Sequence, residues 1–176
     1  YECTVGFLYI IYCGACIAFN QALRYITRDF SEIRPTAFIT VPLLIEKVHA
    51  KIMKKMEEKT AGKLIFKIGK YAAKFSKAVG IKDLDRKIFS EVLESFGGRL
   101  RLLITGASAL DPRVAEDFIN MGIDIYIGYG LTECVAASCL TPINDHRDGS
   151  IGVPMPDMFY KIVKPGTDTE LPYGKE

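Results

Sequence analysis

Residues 99–130 constrain the fold more than any other part of the chain. Arg99–Ile104 is apolar and β-prone, and it runs into Thr105-Gly106-Ala107-Ser108-Ala109. Asp111 then offers an N-cap and Pro112 a first helical residue. The helix that follows extends to about Met121 and stops at Gly122. Asp124–Ile127 is the next strand, and it leads into Gly128-Tyr129-Gly130. Two strands joined by short links through a helix pair in parallel. The expected class is therefore α/β, with a mostly parallel sheet flanked by helices. A chain of 176 residues, 49% of them hydrophobic, can bury its core without disulfides or a metal. Its five cysteines are odd in number and irregular in spacing, which points to a reducing, cytoplasmic compartment. A net charge of +2 excludes a strongly basic nucleic-acid binder.

The remaining elements follow from composition. Residues 3–19 carry no charge, and at 17 residues they sit at the low edge for a membrane span. Gly6 and Gly14 interrupt the run. The preferred reading is a buried helix to about Tyr12, a turn at Gly14 and a short strand over Ala15–Phe19, with a transmembrane helix as the alternative. Gln21–Ile33 reads as a polar helix and Ala37–Val41 as a buried strand. Pro42 is placed for the first turn of a helix over Leu43–Glu58. Another helix fits Asp85–Phe96, ended by Gly97-Gly98, and short β segments are expected near Ala136–Leu140 and Phe159–Val163. The chain opens at Tyr1 in apolar sequence and closes in a turn, so it is expected to be a piece of a larger protein.

Charge is unevenly distributed. Residues 47–87 hold 13 Lys and Arg against 4 Asp and Glu, a net of +9, while the rest nets −7. Within them Leu64, Ile68, Tyr71, Ala72, Phe75 and Val79 recur at helical spacing, as do Lys63, Lys67, Lys70, Lys74 and Lys77. Gly80 is the expected stop. The apolar face, with Phe66, either packs on the core beneath a solvated lysine face or lies on anionic lipid with the lysines at the headgroups.

Ligands of open α/β sheets bind outside the carboxyl ends of the strands. Two such ends carry small-residue loops, Gly106-Ala107-Ser108-Ala109 and Gly128-Tyr129-Gly130-Leu131-Thr132-Glu133. Glycines admit a flat ligand close to the backbone, and Tyr129 offers a face for stacking. Thr132 offers a hydroxyl for a phosphate oxygen, and Glu133 a hard oxygen of the kind Mg²⁺ uses. Together they describe a nucleotide site. The same glycines would equally serve tight turns, and spacing alone leaves both readings open.

Taken in order, Arg34-Pro35-Thr36 through Val41-Pro42 to Glu46-Lys47, Gly106-Ala107-Ser108-Ala109-Leu110, Tyr129-Gly130-Leu131-Thr132-Glu133 and Gly149-Ser150-Ile151-Gly152-Val153-Pro154 resemble the adenylate-forming enzyme superfamily. The lysine-rich stretch between Pro42 and Gly97 is similar to the long-chain fatty acyl-CoA synthetases. The resemblance implies that residues 1–176 are a partial N-terminal, AMP-binding domain. It implies ATP and Mg²⁺ as cofactors, and fatty acid and CoA as further partners. It also implies adenine contacts at Gly106, Ala107, Ser108, Gly128, Tyr129 and Gly130, phosphate contact at Thr132 and metal ligation at Glu133. Thr132 and Glu133 are the catalytic candidates. Val5–Tyr12 and Val41-Pro42 either line an acyl tunnel or pack in the core. The family's Ser/Thr/Gly-rich phosphate loop is absent from the sequence, and its ribose aspartate, hinge and catalytic lysine should lie past Glu176. The fragment alone is therefore expected to lack synthetase activity. The rival readings are an adenylate-forming enzyme for another acid, and a non-catalytic binding or structural module.

Other signals are weaker. Cys13-Gly14-Ala15-Cys16 is formally C-x-x-C, but it lies in an apolar run and is read as buried structural thiols. Cys134 and Cys139 lack zinc spacing. His49 and His146 are read as surface residues, since no Gly-x-Ser-x-Gly elbow accompanies them.

Overall fold

A computed structural model gives the structure and describes residues 2–58, 62–79, 83–134, 137–142, 147, 149–172 and 174. The segment expected to form a strand–helix–strand unit does so. Strand β2 (Leu102–Thr105) leads through α7 (Pro112–Asn120) to β3 (Asp124–Tyr129). Asp111 caps α7 by accepting a hydrogen bond from the Arg113 backbone N–H at 2.9 Å, and Pro112 occupies the first turn. Strand β1 (Ala37–Thr40) flanks β2 on its other side. Both pairings are parallel, with Thr40 opposite Thr105 and Thr105 opposite Ile127. The carboxyl ends of all three strands therefore share one edge of the sheet. Two short antiparallel strands, β4 (Cys139–Leu140) and β5 (Val153–Pro154), extend the sheet beyond β3.

The core lies on one face of this sheet. The register puts Phe38, Leu103 and Ile125 on that face, under α2 (Ile26–Ile33), α3 (Pro42–Glu58), α4 (Gly62–Val79) and α7. Phe96 links the layers, with its ring centroid 5.5 Å from Phe30 and 6.2 Å from Phe118. The helix expected over Asp85–Phe96 is two short ones, α5 (Leu84–Ile88) and α6 (Ser90–Glu94). The step falls at Phe89, whose buried ring meets Phe66 at 5.5 Å. That ring fits because Gly69 has no side chain; a Cβ there would stand 2.7 Å from Phe89 Cζ.

Several expectations are corrected. The amino-terminal run is helical, a π-helical segment over Glu2–Leu8 and then α1 (Tyr9–Tyr12), followed by a turn at Gly14. It is not buried: Phe7, Leu8, Ile11 and Tyr12 are exposed, while Val5, Gly6 and Ile10 are half-buried. Residues 15–19 form no strand, since nothing pairs with them among the described residues. Cys3, Cys13, Cys16 and Cys134 are exposed, so Cys13 and Cys16 are not buried structural thiols, and Cys139 is buried. The expected apolar face of α4 is not the one that packs: Leu64, Ile68, Tyr71, Phe75 and Val79 are exposed and Ala72 is half-buried, while Phe66 and Ala73 face the core. Phe159–Val163 contributes only an isolated bridge, Val163 to Glu170. Gly80, Ala136 and His146 lie outside the described residues. Among the described residues, no helix is long and apolar enough to cross a membrane.

Candidate functional site

The two small-residue loops meet at the carboxyl edge of the sheet. Gly106 leaves β2 buried against the Gly128 carbonyl of β3; a Cβ at position 106 would stand 2.8 Å from that oxygen. Glycine is thus required at 106 by the closeness of the neighbouring backbone. The next residue, Ala107, holds a left-handed φ of +70°, a conformation that costs of order 1 kcal/mol outside glycine and concentrates at functional sites. Ala107 and Ser108 are exposed. Across from them, Tyr129 ends β3 with 41% of its surface open. Gly130 and Leu131 follow, then a single 3-10 turn over Thr132–Cys134 that presents Thr132 and Glu133 to solvent.

Residues far along the chain fix the position of Tyr129. The Ser138 backbone N–H donates to the Tyr129 carbonyl at 2.8 Å, and the Ser138 hydroxyl donates to the same oxygen at 3.2 Å. The Thr141 hydroxyl accepts from the Ile127 N–H at 2.8 Å, and the Thr141 N–H returns a bond to the Ile127 carbonyl at 3.0 Å. Sequence reasoning missed both. Their signal was Ser and Thr flanking the short Cys139-Leu140 strand, which is indistinct without knowing what that strand pairs with. The Gly149–Pro154 motif supplies β5, which pairs with β4 and braces this edge.

Every site residue named from the sequence is therefore at one edge: Gly106, Ala107 and Ser108 on one loop, and Gly128, Tyr129, Gly130, Thr132 and Glu133 on the other. The acyl-tunnel candidates are separate. A cavity of about 560 Å³ lies between the amino-terminal run, α2 and β1, lined by Gly6, Ile10, Phe19, Phe30 and Ile39 among others. Val41 and Pro42 do not line it. Among the described residues no group of three or more His, Cys, Asp or Glu is arranged to hold a metal. A single exposed carboxylate beside a hydroxyl still fits Mg²⁺, which keeps its waters and binds chiefly through substrate phosphates.

His49 is not a surface residue. Its Nε2 lies 2.8 Å from Asp117 Oδ2, and Lys70 Nζ donates to Asp117 Oδ1 at 2.6 Å. Lys70 also pairs with Glu116 at 3.6 Å. The cluster ties α3 and α4 to α7. Burial opposes the charged form of Asp117, but the hydrogen bonds from His49 and Lys70 and their charges outweigh it, so the carboxyl lies below the usual carboxylate range. Burial likewise opposes the Lys70 ammonium, and Asp117 and Glu116 outweigh it, so its pKa is raised. The signs then follow. The Asp117 contribution is present above its unfolded value of about 4 and is lost as pH falls through the lower folded value. The Lys70 contribution is present below about 10.4 and is lost as pH rises through the higher folded value. Asp117→Asn should cost about 2 kcal/mol at neutral pH and flatten the stability profile below about pH 4. Urea unfolding at a series of pH values measures both, and an unchanged acid slope would contradict the assignment.

Comparison with known proteins bears on this site. A family model described as AMP-binding enzyme matches residues 1–176. Long-chain-fatty-acid-CoA ligase 5 of Rattus norvegicus is 33% identical over 160 residues, covering 87% of this chain and 23% of that protein. Long-chain-fatty-acid-CoA ligase 1 of Homo sapiens is 34% identical over 156 residues, covering 85% and 22%. The chain thus spans about a quarter of the length of these relatives. The crystal structure of the anthranilate CoA ligase AuaEII in complex with anthranoyl-AMP superposes with a TM-score of 0.58 at 20% identity, covering 90% of this chain and 24% of that one. At that identity the superposition speaks for the fold.

Proposed function

This chain belongs to the AMP-binding enzyme family, and we propose on that footing that it is part of the N-terminal domain of an ATP-dependent long-chain fatty acid–CoA ligase. The observation that carries the reading is the convergence of the two loops at the parallel edge, with Gly106 seated on the Gly128 carbonyl and Tyr129 open beside it. Tyr129 stacks on one face of adenine, and the Gly106-Ala107-Ser108 backbone covers the other. Gly128 and Gly130 let the ligand approach the strand end. The Thr132 hydroxyl donates to a phosphate oxygen. Glu133 holds Mg²⁺, which when bound neutralises charge on the phosphates.

The reaction has two halves. The fatty carboxylate oxygen forms a bond to the α-phosphorus of ATP as the bond to pyrophosphate breaks. The CoA thiol then bonds to the acyl carbon, and AMP leaves. The contribution of these residues is positioning and charge stabilisation rather than covalent chemistry. The long-chain acid is supported by the relatives at 33% and 34% identity. Residues 1–176, which span about a quarter of the length of these relatives, hold the adenine side of such a site.

Calorimetric titration with a non-hydrolysable acyl-adenylate tests the reading. Saturable binding is expected, and Tyr129→Ala should weaken it roughly tenfold, the worth of one aromatic stack. Binding that survives the substitution unchanged would move the adenine elsewhere. A folded chain with no binding would favour a non-catalytic module.

A further inference from the structure

We propose that α4 is a docking helix for an anionic lipid surface, which it meets with an apolar stripe that faces away from the core of the described residues. Leu64, Ile68, Tyr71, Phe75 and Val79 follow one another at intervals of four, three, four and four residues, so they share one face over about 22 Å of helix. All five are exposed, Leu64 to 61% and Phe75 to 66%. The opposite face is the one that packs: Phe66 and Ala73 are buried, and Gly69 closes on Phe89. The helix is thus already seated on the core by one face while it presents a second apolar face outward. Helix α7 shows the contrast, since its single apolar face, with Val114, Ala115 and Phe118, is wholly buried.

Charge selects the occupant. Residues 47–87 net +9 in a chain that nets +2. By helical register the lysine positions of α4 lie between the packed face and the outward stripe. Lys67 is exposed, and Lys70 is committed to Asp117 and Glu116. The neighbouring α3 adds Lys47, Lys51, Lys54 and Lys55, all exposed. A second copy of this chain docking by the same face would set these like charges against each other. A nucleic acid would meet the lysines but has no use for an aliphatic stripe. A bilayer with anionic headgroups offers negative charge at the depth of the lysines and hydrocarbon at the depth of Leu64 and Phe75. The inference concerns a surface apart from the strand-end loops, so it stands or falls independently of the adenine site.

Co-sedimentation with phosphatidylcholine vesicles, with and without phosphatidylglycerol, at low and high salt, tests it without any nucleotide. The chain is expected to pellet with the anionic vesicles at low salt and to be released by salt. Leu64→Ser with Phe75→Ser should lower the partition coefficient at least tenfold. Lys67→Glu should lower it at least fivefold. The three positions are exposed, so unchanged circular dichroism spectra are expected to accompany the losses. Equal binding to neutral and anionic vesicles, or a double variant that pellets like the parent chain, would overturn the proposal. So would a dimer that depends on Leu64 and Phe75 in a chain that ignores vesicles, because the occupant would then be a second copy.

Discussion

Arg86→Ala is expected to cost about 3 kcal/mol of unfolding free energy. Its guanidinium donates from Nη1 to the carbonyls of Leu100 at 2.8 Å and Gly122 at 2.9 Å, and from Nη2 to that of Gly98 at 3.2 Å. Gly98 and Leu100 lie just before β2, and Gly122 just before β3. One planar cation therefore fastens the entries of both strands that carry the candidate site. A hydrogen bond to a charged group is worth roughly 1.5–3 kcal/mol, and truncation leaves three carbonyls without their donor. The contributions are not additive, which is why the figure stays below their sum. Arg86→Lys should recover only part, because an ammonium cannot span three acceptors with the guanidinium fork. Urea unfolding followed by circular dichroism decides it. An alanine variant with an unchanged midpoint would mean that solvent replaces the guanidinium at no cost.

Gly106→Val is expected to weaken binding of an acyl-adenylate more than tenfold while leaving a folded protein. The new Cβ would stand 2.8 Å from the Gly128 carbonyl oxygen, and that neighbour is backbone rather than the end of a flexible side chain. The two loops must separate, at a cost of about 2 kcal/mol for overpacking. Separation moves the Gly106-Ala107-Ser108 backbone away from Tyr129, so the gap that would hold the adenine loses its geometry. Affinity should fall more than tenfold, since a displacement of that size removes contacts on both faces of a stacked ring. Thermal unfolding and titration on the same sample separate the two effects. A destabilised variant that binds normally would place the nucleotide elsewhere; a variant with neither effect would show that the loops part without consequence.

The placement of the candidate loops at one sheet edge was legible because their signals are local. Loops of Gly, Ala and Ser at the ends of β-prone segments, separated by a capped helix, are read within 30 residues, and the parallel register then brings Thr105 opposite Ile127 at one edge. The capping of α7 by Asp111 was legible for the same reason, its partner being only two residues away. The supports of the site were not legible. Ser138 and Thr141 act on strand residues 9 and 14 positions away, Arg86 reaches as far as Gly122, and His49 finds Asp117 68 residues on. No periodicity records such pairings.

Burial was the quantity most often misjudged. Hydrophobicity at helical spacing established that residues 64–79 form a helix, and the structure agrees. It did not establish which side faces the core, because Phe66 and Ala73 form one apolar stripe and Leu64 and Phe75 another. The same holds for the amino-terminal run, which is apolar, helical and exposed. The sequence by itself determined the α/β class, the family, the loops of the candidate site and the order of its elements, because propensity, capping and turn chemistry act over a few residues. Only the tertiary structure decided which faces are buried, what holds Tyr129 and that His49 is paired, because burial and long-range hydrogen bonds depend on which elements meet, and that is a property of the packed chain rather than of any segment in it.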